Sequence, residues 1–149
     1  MDEFLPSEAR NYRYGDISVG RKDQREYVIS SQVYENFLTA FDDRSPIHFN
    51  EAYALECGFS GKVMHGALLN GFLSHFVGMY FPGRLSLLLS VDLRFLQPSC
   101  LGDVIRLESI VTQKFDARNV VIMDVTFNNM TRDYIAARGR IRVMLRDEQ

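Results

Sequence analysis

The 149-residue chain has no tryptophan, two cysteines, three histidines and four prolines. Cys57 and Cys100 stand far apart, without C-x-x-C spacing or clustered histidines, which excludes a disulfide scaffold and a zinc module and leaves two free thiols. Neither sign of charge dominates: 17 basic residues face 19 acidic ones, for a net −2. Such a balance gives no general attraction for nucleic acid or an anionic membrane, so neither is an expected partner. The chain also lacks a P-loop, a strand-linked G-x-G-x-x-G and a G-x-S-x-G elbow, so nucleotide hydrolysis, nicotinamide chemistry and serine-hydrolase chemistry lose their usual support. The polar, acidic start MDEFLPSEARNYRYGD has none of the basic-then-apolar order of a secretory signal, and a cytoplasmic location is expected. Without repeats, linkers or low-complexity tracts, one domain over residues 1–149 is expected, with 1–14 as an irregular lead-in.

What is present is ordinary in bulk, at 46% hydrophobic and 24% charged, and unusual in its arrangement. Val63 to Gly83 carries no formal charge and is long enough to span a bilayer. His65, Asn70, Ser74 and His75 argue instead for a helix buried in protein on most sides. Six of the ten glycines, Gly58, Gly61, Gly66, Gly71, Gly78 and Gly83, fall in or beside this run. Glycine is a poor helix former, so packing must hold the helix, with other backbones crossing it closely.

Upstream, a first strand is expected near Glu26–Ile29. Ser30-Ser31 then caps a helix whose apolar positions Val33, Phe37 and Phe41 recur every four residues. That helix stops at Asp42 or Asp43. Pro46 makes Asp43–Ile47 a tight non-helical turn, and Asn50 caps a second helix through Cys57. Downstream the period changes to two. Leu87, Leu89, Val91, Leu93 and Phe95 alternate with Leu88, Ser90, Asp92 and Arg94, which predicts a strand burying the first set. Val121, Met123, Val125 and Phe127 form another strand, as do Ile135, Ala137, Ile141, Val143 and Leu145, with Asp103–Thr112 a weaker case. Short turns at Gln97–Asp103, Asp116–Asn119 and Asn128–Asp133 predict an antiparallel meander of four strands, hence an α+β domain.

Three histidines can be weighed singly. Asp43-Arg44-Ser45-Pro46-Ile47-His48 is a kinked loop able to bring a carboxylate and an imidazole to one water molecule, though an Asp and a His in one loop are also commonly a cap and a surface residue. His65-Gly66 opens the uncharged helix. Free N–H groups there suit an oxygen that is becoming negative; the plainer reading is a capping His65 and a Gly66 that relieves crowding. Ser74 shares a helix face with Gly66 and can bond a site carboxylate or its own helix carbonyl. His75, among Phe72, Phe76 and Met79, reads as a satisfied core or interface histidine. Arg138, Arg140 and Arg142 read as one solvated strand face.

The order of these features resembles the MaoC-like, (R)-specific enoyl-CoA hydratases: a helix ending at Asp43, the loop to His48, the helix Asn50–Cys57, then Gly61-Lys62-Val63-Met64-His65-Gly66 into a long helix and strands. The similarity covers about residues 15–145 and is strongest over 37–80. It implies a hot-dog fold, an antiparallel sheet wrapped around a long central helix, assembled as a homodimer or dimer of dimers. Asp43 and His48 would then be the hydratase dyad, with His65 and Gly66 at the thioester oxygen and Ser74 supporting the site. The sequence departs from the family at Ser45, commonly Asn, and at Asp42, often Gly; Asp42 is expected to point to solvent.

Water addition to a trans-2-enoyl thioester needs an oxygen nucleophile at C3, a proton at C2 and a group that stabilises an enolate-like oxygen, which these residues can supply without a cofactor or metal. The expected substrate is an acyl thioester of coenzyme A or of acyl carrier protein. Two competing readings stay open: a hot-dog acyl-thioesterase, and a non-catalytic acyl-thioester-binding subunit.

Overall fold

The computed structural model describes residues 8–147. Five strands, β1 (Lys22–Val28), β2 (Ser86–Phe95), β3 (Val104–Phe115), β4 (Val120–Asn129) and β5 (Tyr134–Leu145), form one antiparallel sheet in the order β1-β3-β4-β5-β2. Four helices precede β2: α1 (Ser31–Phe41), α2 (Pro46–Phe49), α3 (Glu51–Glu56) and α4 (Gly66–His75), the last continuing as a π turn over Phe76–Tyr80. The caps follow the sequence. The Ser30 side chain accepts from the Val33 N–H and the Asn50 side chain from the Tyr53 N–H, each satisfying a donor that a helix start leaves free. Asp42 ends α1 in the left-handed region, at φ 51°. The turn expected to be non-helical over Asp43–Ile47 is so only as far as Ser45, because Pro46 fits the first position of the short α2.

Of the lead-in, residues 1–7 lie outside the described part. The rest is tied down: Arg10 donates to the Met79 carbonyl at 3.0 Å and accepts from the Arg84 N–H at 2.8 Å. β1 begins at Lys22, earlier than expected, as Lys22–Val28 pair with Val104–Ile110 of β3.

The four-strand meander holds only for β3, β4 and β5. β2 lies beside β5 at the sheet edge, and β1 takes the free side of β3. The segment after β2 does not fold back on its own strand. Leu96 donates to the Ala136 carbonyl at 2.8 Å and Ser99 accepts from the Met64 N–H at 2.7 Å, so the chain crosses the sheet end toward the entry of α4. β2 also corrects the predicted face. A register shift between Leu88 and Ser90 interrupts the alternation, so Leu88 packs on the core together with Leu93, which was expected there, while Leu87, Leu89, Val91 and Phe95 are exposed.

The core lies between the inner sheet face and α4. Leu68, Leu73 and Phe76 meet Leu107, Met123, Phe127 and Ile141, all nearly or fully buried. Burying a side chain of this size is worth about 1.5–3 kcal/mol, which offsets the weak helix propensity of the glycine-rich run. Close approach to glycine occurs at the ends of that run rather than throughout it. A side chain on Gly66 would press on the Phe95 ring, and one on Gly83, at φ +93°, would overlap the Arg10 carbonyl; Gly71 and Gly78 face open space. One face of α4, with Ala67, Asn70, Gly71 and Ser74, is exposed.

His75 is satisfied within the fold. Its Nδ1 lies 3.1 Å from the Tyr27 hydroxyl, and Tyr27 stacks on Phe72 at 4.6 Å. Burial, with Arg25 nearby, holds the imidazole below its ordinary pKa. Arg138, Arg140 and Arg142 are exposed as expected, with Arg140 paired to Asp124 at 2.6 Å. No helix among the described residues is long and apolar enough to cross a membrane.

Candidate active site

The α1–α2 connection puts Asp43 and His48 on either side of the proline turn. Asp43 Oδ1 accepts the Ser45 N–H at 3.2 Å, a side-chain turn that steadies the carboxylate. Asp42 turns away as expected: its side chain is 76% exposed and meets Arg44 at 2.5 Å, which leaves the site one carboxylate instead of two.

His48 is held at both ends. Its carbonyl accepts the Tyr34 hydroxyl at 2.9 Å, and its Nδ1 lies 2.6 Å from the Val63 carbonyl. A carbonyl only accepts, so Nδ1 carries the proton and, in the neutral ring, Nε2 keeps a free lone pair able to take a proton from water. The same argument fixes His65, which is buried. Its Nε2 lies 2.8 Å from the Asp43 carbonyl and 3.8 Å from Asp43 Oδ2, while its Nδ1 has no partner. His65 is thus a donor toward Asp43, and its ring packs against His48 at 4.1 Å and Phe37 at 4.7 Å between centroids.

Asp43, His48 and His65 each offer an atom within 4.8 Å of the others. One water bonded at about 2.8 Å to two acceptors spans such a gap. A metal ion fits less well, because Nε2 of His65 is protonated and already used on the Asp43 carbonyl.

Beside this cluster lies a cavity of about 390 Å³, lined by His48, His65 and Gly66 with Met64, Leu68, Leu69, Ile29, Phe95 and Leu96 among its apolar walls. Gly66 is the first residue of α4, where the backbone N–H is free of the helix ladder and the dipole favours negative charge. The glycine also lets the Phe95 ring lie against the helix start, where an added Cβ would come within 3.3 Å of it.

The structure therefore brings Asp43 together with His48 and His65, and it is the two histidines, not Asp43, that line the cavity with Gly66. Ser74 is not with them: α4 turns it to solvent and it does not line the cavity. Sequence reasoning missed the Val63 carbonyl, the Tyr34 hydroxyl and the Gln97–Ser99 wall. The first is a main-chain group with no residue signature. The wall was legible only as a turn.

Residues 15–132 match the family described as MaoC like domain. The chain is 30% identical, over 115 residues that make up 77% of it and 73% of the relative, to the 3-hydroxybutyryl-CoA dehydratase of Methylorubrum extorquens. It is 29% identical over 96 residues, 64% of this chain and 72% of the relative, to the (R)-specific enoyl-CoA hydratase of Aeromonas caviae. Among solved structures, R-hydratase PhaJ1 from Pseudomonas aeruginosa in its unliganded form superposes with a TM-score of 0.87 at 28% identity, covering 95% of this chain and 90% of that one. The hot-dog architecture expected from the sequence is the one these chains share.

Proposed function

Because the chain belongs to the MaoC-like domain family, we propose that it adds water to a trans-2-enoyl thioester, and removes it in reverse, giving an (R)-3-hydroxyacyl thioester. The observation that carries this reading is the cluster of Asp43, His48 and His65 within 4.8 Å beside an apolar cavity that begins at Gly66.

In the proposed reaction one water sits between the Asp43 carboxylate and His48 Nε2. The acyl chain occupies the apolar cavity, and the thioester oxygen faces the Gly66 N–H. The water oxygen bonds to C3, one of its protons passes to the dyad, and the π electrons move through C2 toward the thioester oxygen, where the helix start stabilises the enolate-like charge. A proton from the dyad then closes the C2–H bond, so that only H and OH are added. His65 acts one step back, holding the Asp43 backbone and facing its carboxylate. Ser74 stays outside this mechanism because α4 turns it to solvent.

The substrate carrier is coenzyme A or acyl carrier protein, the chain acts as one domain, and the setting is the cytoplasm. Given crotonyl-CoA, the purified protein is expected to bleach the enoyl absorbance without releasing free thiol. Thiol release at the same rate would replace this reading with the thioesterase, and inertness toward both bonds would leave the non-catalytic subunit.

The assembly we propose is a homodimer, the unit from which a dimer of dimers would be built. β2 has a neighbour on one side only and exposes Leu87 (48%), Leu89 (49%) and Val91 (39%), an apolar edge suited to pairing with a second copy. Leu89→Lys is expected to convert the dimer to a monomer by light scattering at micromolar concentration. An unchanged mass would move the interface elsewhere.

A further inference from the structure

A second polar cluster, outside the dyad, surrounds Asp103. This carboxylate is 2% exposed, and its Oδ2 accepts three donors: the Cys100 N–H at 2.9 Å, Asn129 Nδ2 at 2.7 Å and Arg132 Nε at 2.8 Å. Asn129 cannot turn its amide around, because its Oδ1 accepts the N–H groups of Thr131 and Arg132 at 3.1 and 3.0 Å. Arg132 reaches on to Ser60 Oγ at 2.8 Å. Asp103 thus joins the β4–β5 turn, the loop after β2 and the segment before Val63.

That junction is more elaborate than a turn requires. Burying a carboxylate is costly unless it is paired and fully bonded, and a hydrophobic residue at such a place is often no less stable. What the cluster fixes is geometry. Cys100 forms an antiparallel bridge with Val63, and the Met64 N–H donates to the Ser99 carbonyl at 2.7 Å. On its other side Val63 donates to the Ile47 carbonyl at 2.9 Å, and its own carbonyl lies 2.6 Å from His48 Nδ1. The line from Asp103 through Cys100 and Val63 ends on the imidazole ring.

We propose that Asp103, with Arg132, is a positioning residue of the active site: through the Cys100–Val63 bridge it sets the carbonyl that fixes the tautomer and tilt of His48. The kinetic part of this inference rests on the proposed dyad. The structural part does not.

The test is ¹⁵N NMR of the His48 ring beside steady-state kinetics with crotonyl-CoA, on the full chain and its Asp103→Asn and Arg132→Lys variants. Asn retains one acceptor oxygen but no charge. In the unaltered protein the neutral ring is expected to show the proton on Nδ1 alone. In Asp103→Asn the two tautomers are expected to mix, and kcat to fall by about tenfold to a hundredfold with KM changed less than about twofold, as a misplaced catalytic group implies. Arg132→Lys carries the same readouts should Asp103→Asn not fold. A folded variant with lower thermal stability and an unchanged ring pattern overturns the proposal, leaving the cluster a structural clamp. A rise in KM alone overturns it too. Mixed tautomers with unaltered turnover support the positioning and count against the dyad.

Discussion

Asp43→Asn is expected to lower kcat for enoyl-thioester hydration by about 10²–10⁴-fold, the range a positioned acid–base group contributes, with little change in KM or in thermal stability. The carboxylate is half exposed, at 51%, and holds the loop through a single backbone contact from Oδ1 that an amide oxygen can still accept. What asparagine loses is the charge and the basic lone pair on the second oxygen, and the chemistry depends on these. His48→Gln removes the free imidazole nitrogen and is expected to cost a similar factor. The double variant is the stricter measurement. If Asp43 and His48 share one water, removing either already disables it, so the double variant should be about as slow as the worse single one. Fully multiplicative losses would mean that the two groups act on different atoms, and a slow single variant with lowered thermal stability would mean that the loop itself had moved.

The loop holding that pair was legible in the sequence because its punctuation is local. Ser30, Asp42 and Asn50 each act within a few residues, as cap, helix stop and cap, and each does so in the structure; Pro46, read as part of a non-helical turn, instead opens α2. The strands were legible for the same reason, since period two is a property of one segment. What the sequence did not show is the order in which segments pair. β2 looked like the first member of a meander, yet its loop bonds to Ala136 and Met64 instead of turning back, and a bulge near Leu89 breaks the alternation, so that Leu88 packs on the core in place of Leu87 and Leu89 while Leu93 keeps the face expected of it. Both depend on partners 35 to 55 residues away in sequence. The site divides along the same line. Asp43, His48, His65 and Gly66 declared themselves by residue type, whereas the Val63 carbonyl that assigns the His48 tautomer exists only once the chain has folded.

Gly139→Ala is expected to cost a large part of the stability. The glycine sits between Arg138 and Arg140, on the inner side of β5, opposite Leu93 of β2. A Cβ there would overlap the Asp92 carbonyl oxygen and lie 2.9 Å from the Leu93 Cα. Both obstacles are backbone, so no rotamer change removes them. The strain must be relieved by parting β2 from β5, and β2, an edge strand with one neighbour, is the element free to move. Overpacking typically costs about 1–3 kcal/mol, and a clash against main chain belongs at or above the upper end. At about 2–4 °C per kcal/mol for a chain of this size, thermal unfolding should drop by roughly 10 °C. The loss should reach function as well, because β2 carries Phe95 into the cavity wall and the apolar edge through which the dimer is proposed to form. Gly78→Ala is the control: its added Cβ meets nothing within 4 Å, and it should unfold near the parent temperature. Equal melting of the two variants would show that β2 does not pass Gly139 as closely as described, and the wall built on Phe95 would have to be redrawn.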